Sequence, residues 1–599
     1  MAPRRSTHPG GRDARPAVAA LRERPDCTVL IIGGGINGVA TFRDLALQGV
    51  DVTLIDRGDI AAATSAASSR MIHGGLRYLE NGEFRLVKEA VAERNGLLAT
   101  APHYVTPLPT TIPIHQVWSG LGSAPRRFLT GHGSSRHAAR GAILIKAGLA
   151  LYDEYSHAGL APDGTGVPRH SFTGRVQSLE DLPDLDPSII CTATYYDAAV
   201  RAPERLALEM ALDALAAHPG ARLATYVEAT GASSTGVDVR DVLTGDTVTL
   251  QPRLVVNASG PWTDLTNAAL GEATAFMGGT KGSHIVVDNP ALHEACRGRE
   301  IFFENEDGRI VLIHPQHGRV ILGTSDIPAD PREPAVCTDE EIAYFIDLAA
   351  RVFPGIPVTR EQIVHRFAGI RPLPAADAAS PGEIPRDYRL VTSELPGGVP
   401  LVSLVGGKWT THRALGEKIA DQVLGLLGRE RRASTRGVPV GGGRDYPRPD
   451  DRGEWIAAHM PGDDARARVL LDRYGTRGAE VAVLEARPFA WFDEARTLRH
   501  APDYTRAEIQ WIARTERVAR LADVVQRRTQ LTFRGEVTVP LLEELAKVVG
   551  RELGWGRKRR AAEVALVLEQ ARAAVAPAAE TAGQAAQAGQ ASPTSVTPS

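Results

Sequence analysis

Along the first hundred residues the apolar positions change their spacing three times. Val29-Leu30-Ile31-Ile32 is an unbroken apolar run rich in β-branched residues, which predicts a short strand buried on both faces. A glycine turn follows, then apolar positions at helical spacing to about Gly49, then a second strand from Val50 to Ile55 ending in Asp56. Residues 83–100 return to helical spacing, with Phe84, Val87, Ala90, Val91 and Leu98 on one face. Pro102, Pro107 and Pro109 then break the pattern.

Further on, residues 119–141 are Gly/Ser-rich and basic (Arg126, Arg127, Arg136, Arg140) and predict a long mobile loop before an apolar helix over 142–155. A helix is predicted from about Pro203 to His218, then strands at Leu223–Glu228, Val237–Val242 and Val248–Leu250. Leu254-Val255-Val256-Asn257 predicts a buried strand that ends in the small-residue turn Ala258-Ser259-Gly260. Residues 280–325 predict antiparallel β: a strand over Ser283–Val287, and a hairpin of Arg309–Ile313 and Arg319–Leu322 around Pro315-Gln316-His317-Gly318. A strand runs to Gly406-Gly407, and a helix then extends to about Leu427. Residues 428–450, rich in Gly, Arg and Pro, read as a linker; 452 to about 573 are helical in pattern; 574–599 are a low-complexity tail.

The first glycine turn carries chemistry. Gly33-Gly34-Gly35-Ile36-Asn37-Gly38 fits G-x-G-x-x-G between a strand and a helix, with Asp56 closing the next strand. In that setting Gly33 makes the tight turn, Gly35 lets backbone approach a pyrophosphate and Gly38 lets helix pack on strand. Free N–H groups at the helix start face the phosphates, and Asp56 is placed to accept hydrogen bonds from a ribose.

Composition narrows the setting without changing this reading. Lys+Arg 68 against Asp+Glu 71 gives a net charge of −3 over 599 residues, which carries no global nucleic-acid signal. The length suits two or three domains. Cys27, Cys191, Cys296 and Cys337 lie far apart, with no C-x-x-C pair and no metal-ligand spacing, so no metal site is expected and the thiols are expected free in a reducing compartment. No run of 18 apolar residues is present. Residues 1–24 hold six arginines and no apolar core of a signal peptide, and are expected to be a disordered basic tail.

The next stretch separates a flavin site from a plain NAD site. Thr64-Ser65-Ala66-Ala67-Ser68-Ser69-Arg70-Met71-Ile72-His73-Gly74-Gly75-Leu76-Arg77-Tyr78-Leu79-Glu80-Asn81-Gly82, continued by Glu83-Phe84-Arg85-Leu86-Val87, resembles the FAD-dependent glycerol-3-phosphate dehydrogenases of the aerobic, respiratory type almost verbatim. The resemblance continues to about residue 535, through Lys281-Gly282-Ser283-His284, Arg366 to Leu373, Gly406 to Thr411, Arg473-Tyr474-Gly475 and Glu516 to Thr529.

It implies an α/β protein: a Rossmann-like FAD-binding domain of the two-dinucleotide-binding-domain, amino-acid-oxidase-like kind, an antiparallel-β substrate domain and a C-terminal helical domain. The expected FAD segments are 25–105, 195–275 and 396–430. The expected substrate or cap segments are 106–194 and 276–395. A linker at 431–450 leads to the helical domain at 451–573. The cofactor set implied is Gly33, Gly34, Gly35, Asn37, Gly38, Asp56, Arg57, Thr64, Ser65, Ser68, Ser69, His73, Gly74, Gly75, Leu76, Val227, Ala258, Gly260, Gly406, Gly407, Lys408 and Thr410.

For the substrate, oxidising a secondary alcohol needs a hydride acceptor, a proton acceptor and cations for any anionic handle. Gly406-Gly407 before a helix, with Lys408 beside it, suits the negative charge of a reduced flavin. Arg77, Arg371 and Lys408 are the phosphate candidates, with Tyr78 adding a hydroxyl; the resemblance implies that they converge. His73 and His284 are the candidate bases, each equally suited to a structural or flavin-contacting role. Arg371 also fits a strut for its own turn. One departure stands out: where these enzymes carry paired aspartates before an Ala-Arg, this chain has Val200-Arg201-Ala202-Pro203-Glu204-Arg205.

The reaction so implied is oxidation of sn-glycerol 3-phosphate to dihydroxyacetone phosphate, with electrons passed to a quinone. Another polyol phosphate such as erythritol phosphate, oxygen as acceptor, an amino-acid oxidase of the same fold and a non-catalytic sensor are the alternatives. A cytoplasmic protein peripheral to the inner membrane face, through the basic 119–141 loop, is expected, and a homodimer is compatible with the resemblance; no nucleic-acid partner is expected.

Overall fold

The computed structural model describes residues 15–75, 84–116, 142–156, 166–305, 310–375, 387–487 and 496–575. The basic loop at 119–141 and the tail beyond 575 lie outside the described residues.

Two sheets organise the chain. In the first, the strands run in the order Arg389–Leu395, Val399–Val405, Thr247–Asn257, Asp26–Ile32, Val52–Asp56, Arg222–Thr225. All neighbours are parallel except the first pair. Val29, Leu30 and Ile31 are fully buried, as an unbroken apolar run must be when both faces are covered. The helices Ile36–Leu47, Pro203–Ala217 and His412–Leu426 cover one face through Val39, Phe42, Leu206 and Leu415. The other face carries the antiparallel strands Val227–Ser233 and Gly236–Asp241, together with a helix at Pro16–Glu23.

That helix corrects the expected 1–24 tail over residues 15–24, residues 1–14 lying outside the described residues: Val18 and Leu21, one turn apart, are buried against the sheet, and Arg15 pairs with Asp241 at 2.9 Å. In sequence, six arginines mask this two-residue apolar strip. Thr247–Asn257 is a single strand, where a break had been expected between residues 250 and 254. Its first half pairs antiparallel with Val237–Arg240 and its second half parallel with Asp26–Ile32, the partner changing between Leu250 and Gln251.

The second sheet has ten strands and is mostly antiparallel. Thr280–Val287 lies between Arg319–Gly323 and Ile363–Arg371, and the predicted hairpin is Ile310–Gln316 with Arg319–Gly323. Val105–Ile114 pairs along its whole length with Cys191–Val200. Pro107 and Pro109 therefore sit inside a strand; two residues apart, their missing N–H groups fall on one edge. Residues 195–200 belong to this sheet and not to a flavin segment, while Arg389–Leu395 belongs to the first sheet and not to the substrate segment. Strand partners far along the chain set both boundaries.

From Arg452 to Ala573 the described chain is helical, around a core that includes Leu470, Tyr474, Ile509, Trp511 and Leu545. The expected linker is packed instead. Val440 donates its N–H to Thr100 O (2.9 Å), Gly442 donates to Glu209 Oε2 (3.0 Å), and a Cβ on Gly442 would fall 1.9 Å from Tyr474 O. Its glycines serve close approach between domains rather than freedom. No helix among the described residues is long and apolar enough to cross a membrane, and the four cysteines are unpaired.

Candidate active site

A cavity of about 810 Å³ opens where the carboxyl ends of the parallel strands meet the second sheet. Its floor is the first glycine turn. Gly33 takes φ +114°, and a Cβ there would lie 2.5 Å from Ala258 O. Gly38 has no room for a side chain either, since a Cβ would meet Gly33 O at 1.9 Å. Gly35 and Asn37 line the cavity, whereas Gly34 and Gly38 lie behind it and build the turn. Asp56 Oδ2 accepts the Gly34 N–H (2.6 Å) and Oδ1 the Gly58 N–H (2.7 Å), so the carboxylate braces the turn while its edge faces the cavity. Burial pushes its pKa up, against those two donors.

The loop after the second strand wraps the next wall. Ala61 and Arg70 bracket it at φ +53° and +56°, a strained backbone of the kind that clusters at functional sites. Within it, Ser65 Oγ accepts the Ile36 N–H (2.9 Å), Thr64 Oγ1 donates to Ile370 O (2.9 Å) and Trp409 Nε1 donates to Ser65 O (3.2 Å). Thr64, Ser65, Ser68, Ser69 and His73 all line the cavity. Arg57 stacks on Trp262 at 4.7 Å, and Val227, Ala258 and Gly260 line the wall nearby. Gly406 and Gly407 turn at φ +90° and +105°, and a Cβ on Gly407 would meet Asn37 Nδ2 at 2.8 Å. Lys408 and Thr410 face the same space, but the helix His412–Leu426 starts beyond them, so the turn and the helix start are separate.

Gly74 and Gly75 are not in the cavity wall. The Gly74 N–H donates to Asp197 Oδ1 (2.9 Å) and Tyr152 Oη (3.1 Å), and a Cβ there would strike Tyr152 Oη at 2.1 Å. This glycine anchors the segment that carries His73; the buried Arg94 joins the same cluster through Tyr152 Oη (2.8 Å). Leu76, Arg77 and Tyr78 lie outside the described residues.

Across the cavity, the second sheet brings His284 and Arg371 together on neighbouring strands. His284 is buried, stacks on Phe367 at 4.9 Å, and shares a 2.8 Å hydrogen bond with Ser69 Oγ through Nε2. Burial, reinforced by Arg371 and Arg70, pushes its pKa down to about 3. Arg371 donates to Asp326 Oδ1 (3.0 Å), Thr324 Oγ1 (3.1 Å) and Ser325 O (2.9 Å). A Cβ on Gly282 would lie 2.3 Å from its guanidinium, so that glycine gives the arginine its path. Arg371 is thus both a strut, tied to Thr324, Ser325 and Asp326, and a cation on the cavity wall.

Residues 28–422 match the FAD dependent oxidoreductase family, and residues 433–560 the C-terminal domain of alpha-glycerophosphate oxidase. The chain is 34% identical to a glycerol-3-phosphate dehydrogenase of Synechocystis sp., over 84% of this chain and 89% of that protein. The chain belongs to the FAD-dependent glycerol-3-phosphate dehydrogenase family. Other members are the aerobic glycerol-3-phosphate dehydrogenase of Escherichia coli (31% identical; 84% of this chain, 93% of that one) and the D-erythritol 1-phosphate dehydrogenase of Brucella abortus (32%; 85% and 95%). The same fold is seen in the glycerol-3-phosphate dehydrogenase of Bacillus halodurans complexed with FAD, at TM-score 0.70 and 22% identity, covering 94% of this chain and 97% of that one.

FAD is the cofactor of this family member, an oxidoreductase, and the cavity fits it. Gly33 and Gly35 leave backbone where a phosphate must approach, helix N–H groups follow at once, and small residues from Ala61 to Ser69 line the way toward His73. Several wall residues were not singled out from the sequence. Trp262 and Trp409 are two of them, and behind the wall Asp326, Thr324 and Phe367 gain their places only by packing against Arg371 and His284. The Val200–Arg205 departure also finds its reason at a distance. Glu204 pairs with Arg70 (2.8 Å) and Arg205 with Glu516 (2.6 Å), both buried, so these residues tie the cofactor loop and the helical domain together.

Proposed function

We propose that the protein oxidises sn-glycerol 3-phosphate to dihydroxyacetone phosphate and passes the electrons to a quinone. The observation that carries this reading is the pairing, in one cavity, of a dinucleotide cradle with the cations Arg371 and Lys408 and the imidazoles of His73 and His284. When bound in this cradle, FAD would supply a two-electron acceptor for the hydride of the carbinol carbon. Arg371 and Lys408 hold the substrate's phosphate, joined by Arg77 and Tyr78, and so fix the carbinol carbon. His73 or His284 takes the hydroxyl proton. For His284, burial and Arg371 disfavour the imidazolium. A phosphate dianion beside Arg371 offsets that charge, so the imidazole becomes a stronger base when substrate is present. Ser69, hydrogen-bonded to Nε2, orients the ring.

A second reading keeps the reaction and changes the polyol phosphate. It is supported by the D-erythritol 1-phosphate dehydrogenase being as similar as several glycerol-3-phosphate enzymes. Steady-state turnover on glycerol 3-phosphate, erythritol phosphate and unphosphorylated glycerol, with a quinone and with oxygen, decides between them. Higher kcat/KM on the four-carbon ester moves the assignment to erythritol phosphate, and good turnover with oxygen moves the acceptor. We further propose peripheral attachment to the inner membrane face through the basic 119–141 loop. Fractionation at low and high salt tests it, because charge-based attachment weakens with salt; a protein fully soluble at low salt overturns it.

A further inference from the structure

A second cavity, of about 210 Å³, lies where the flavin-binding part of the chain meets the C-terminal helices. Five arginines line it, Arg201, Arg205, Arg473, Arg528 and Arg534, against one carboxylate, Asp472. Four of the guanidinium groups are held by carboxylates that are not in the cavity wall. Arg205 pairs with Glu516 (2.6 Å), Arg473 with Glu508 (2.6 Å), Arg528 with Asp59 (2.9 Å) and Arg534 with Asp503 (2.7 Å). These pairs fix the arginines in the cavity wall.

Arg201 differs. Its carbonyl accepts from Arg70 (3.1 Å) and bonds His317 Nε2 (2.8 Å), which pins the backbone, but its half-buried guanidinium has neither a hydrogen bond nor an ion pair among the described residues. Two neutral donors join it. Tyr504 Oη accepts the Gln530 N–H (3.1 Å) and has no acceptor for its own proton among the described residues, and Gln530 Nε2 is likewise undonated there. Donors that converge on a confined space with one acidic group in its wall call for an acceptor-rich anion. The volume falls below the roughly 300–1,000 Å³ typical of sites for drug-sized ligands, which excludes a dinucleotide and suits a phosphate-sized group.

We propose that this cavity binds a small dianionic oxyanion, phosphate or the phosphate of a short-chain ester, with Arg201, Tyr504 and Gln530 as its donors. Its occupant reaches the cofactor loop by two routes. Gln530 Oε1 accepts from Arg70 Nη1 (3.4 Å), next to the Ser69 that holds His284, and Arg528 grips Asp59 just beyond the second strand. Binding therefore fastens the helical domain to the flavin loop. This site is separate from the substrate cavity and does not rest on the substrate reading.

The test uses the full-length FAD-bound enzyme, titrated with inorganic phosphate at constant ionic strength, with two readouts: binding heat and the temperature of FAD release. Wild type binds phosphate and releases FAD at a higher temperature in its presence. Arg201→Ala, which breaks no ion pair, keeps the phosphate-free release temperature but weakens this binding about tenfold or more and loses the phosphate-dependent rise. Arg201→Lys recovers part of it. Arg371→Ala keeps the rise, which separates this cavity from the substrate site. In that background, tighter binding of glycerol 3-phosphate than of phosphate identifies an ester as the occupant, and equal binding identifies free phosphate. The proposal fails if wild type shows no rise, if Arg201→Ala behaves as wild type, or if Arg371→Ala alone abolishes the rise.

Discussion

Arg371 is a cation with a counterion already in place. Asp326 takes one edge of its guanidinium and Thr324 and Ser325 hold the other, so the side chain meets a ligand in one fixed orientation. Pro372 adds to this by restricting the backbone before it. Arg371→Ala should lower kcat/KM on glycerol 3-phosphate by roughly 30- to 4,000-fold, the equivalent of about 2–5 kcal/mol for a broken buried charge contact, and toward the lower end because Asp326 already neutralises part of the charge. Arg371→Lys should recover only part, lacking the fork. The check is turnover on the phosphate ester and on glycerol, with FAD content measured. Equal losses on both substrates mean that the residue does not read phosphate. Gly35 offers a cleaner probe of the cofactor, because its φ of −70° is ordinary and a Cβ would meet only Ser65 Oγ, at 3.3 Å. Gly35→Val should fold and lose FAD, as absorbance after heat release would show; full flavin content in that variant means that Gly35 is not part of the cofactor cradle. Both residues were legible in the sequence because each sits in a short motif. Asp326 was not, since its meaning comes from a strand neighbour 45 residues away.

Among the elements, the cofactor loop is the one whose conformation is imposed from outside. Arg527 and Arg528, in the turn after Leu521–Asp523, reach across to Asp59; Arg527 Nε lies 2.6 Å from Oδ2 and Arg528 Nη2 2.9 Å from Oδ1. All three are buried. Asp59→Asn removes the charge and leaves two buried guanidinium groups undercompensated, so it should destabilise by about 3–5 kcal/mol. The exposed pair Arg240–Glu228 is the control: Arg240→Ala should cost under about 1 kcal/mol. Urea unfolding followed by circular dichroism and by flavin fluorescence measures both, and equal small losses would remove Asp59 from its structural role. Helices and strands with strong periodicity were legible from the sequence, such as Phe84–Thr100 and Thr280–Val287. Elements whose stability is borrowed were not. Pro16–Glu23 has two buried apolar residues, Val18 and Leu21, and the strand Val105–Ile114 keeps its prolines because a long partner pairs with the whole of it.

The whole molecule buries several histidines in their neutral form. His284 and His317 are pushed down to about 3, His365 and His412 to about 4, in each case first by burial. The unfolded chain protonates these groups near pH 6.5 and the folded one does not, so the unfolded state binds more protons as pH falls. Their stabilisation is full above about pH 6.5 and is lost progressively toward pH 3–4. Asp44, raised to about 6 by burial, works in the opposite sense, as do Asp56, Asp213 and Glu300, which burial also pushes up. The histidines should therefore lower the melting temperature between pH 7 and 5.5, each with a slope that rises to about 1.4 kcal/mol per pH unit as pH falls below 6.5. Thermal scans at pH 7.5, 6.5 and 5.5 measure it, and a flat profile would mean that these rings take up protons without unfolding.

Local rules were enough for the dinucleotide turn, because strand, glycine spacing, helix and acid are neighbours along the chain and each obeys short-range sterics or hydrogen bonding. They were also enough to single out His73, His284, Arg371 and Lys408 as chemically apt residues. Which of these side chains share a wall was a matter of tertiary structure. His284 and Arg371 meet because Thr280–Val287 pairs with Ile363–Arg371, with Thr280 opposite Arg371 and His284 opposite Phe367, a register that no local pattern carries. The same holds for the domain boundaries and for the arginine-lined cavity. Arg201 and Arg473 stand out in sequence only as parts of a departure and of a family-like motif, Tyr504 and Gln530 not at all, and their convergence depends on how the helical domain docks, which is set by buried ion pairs between residues hundreds of positions apart.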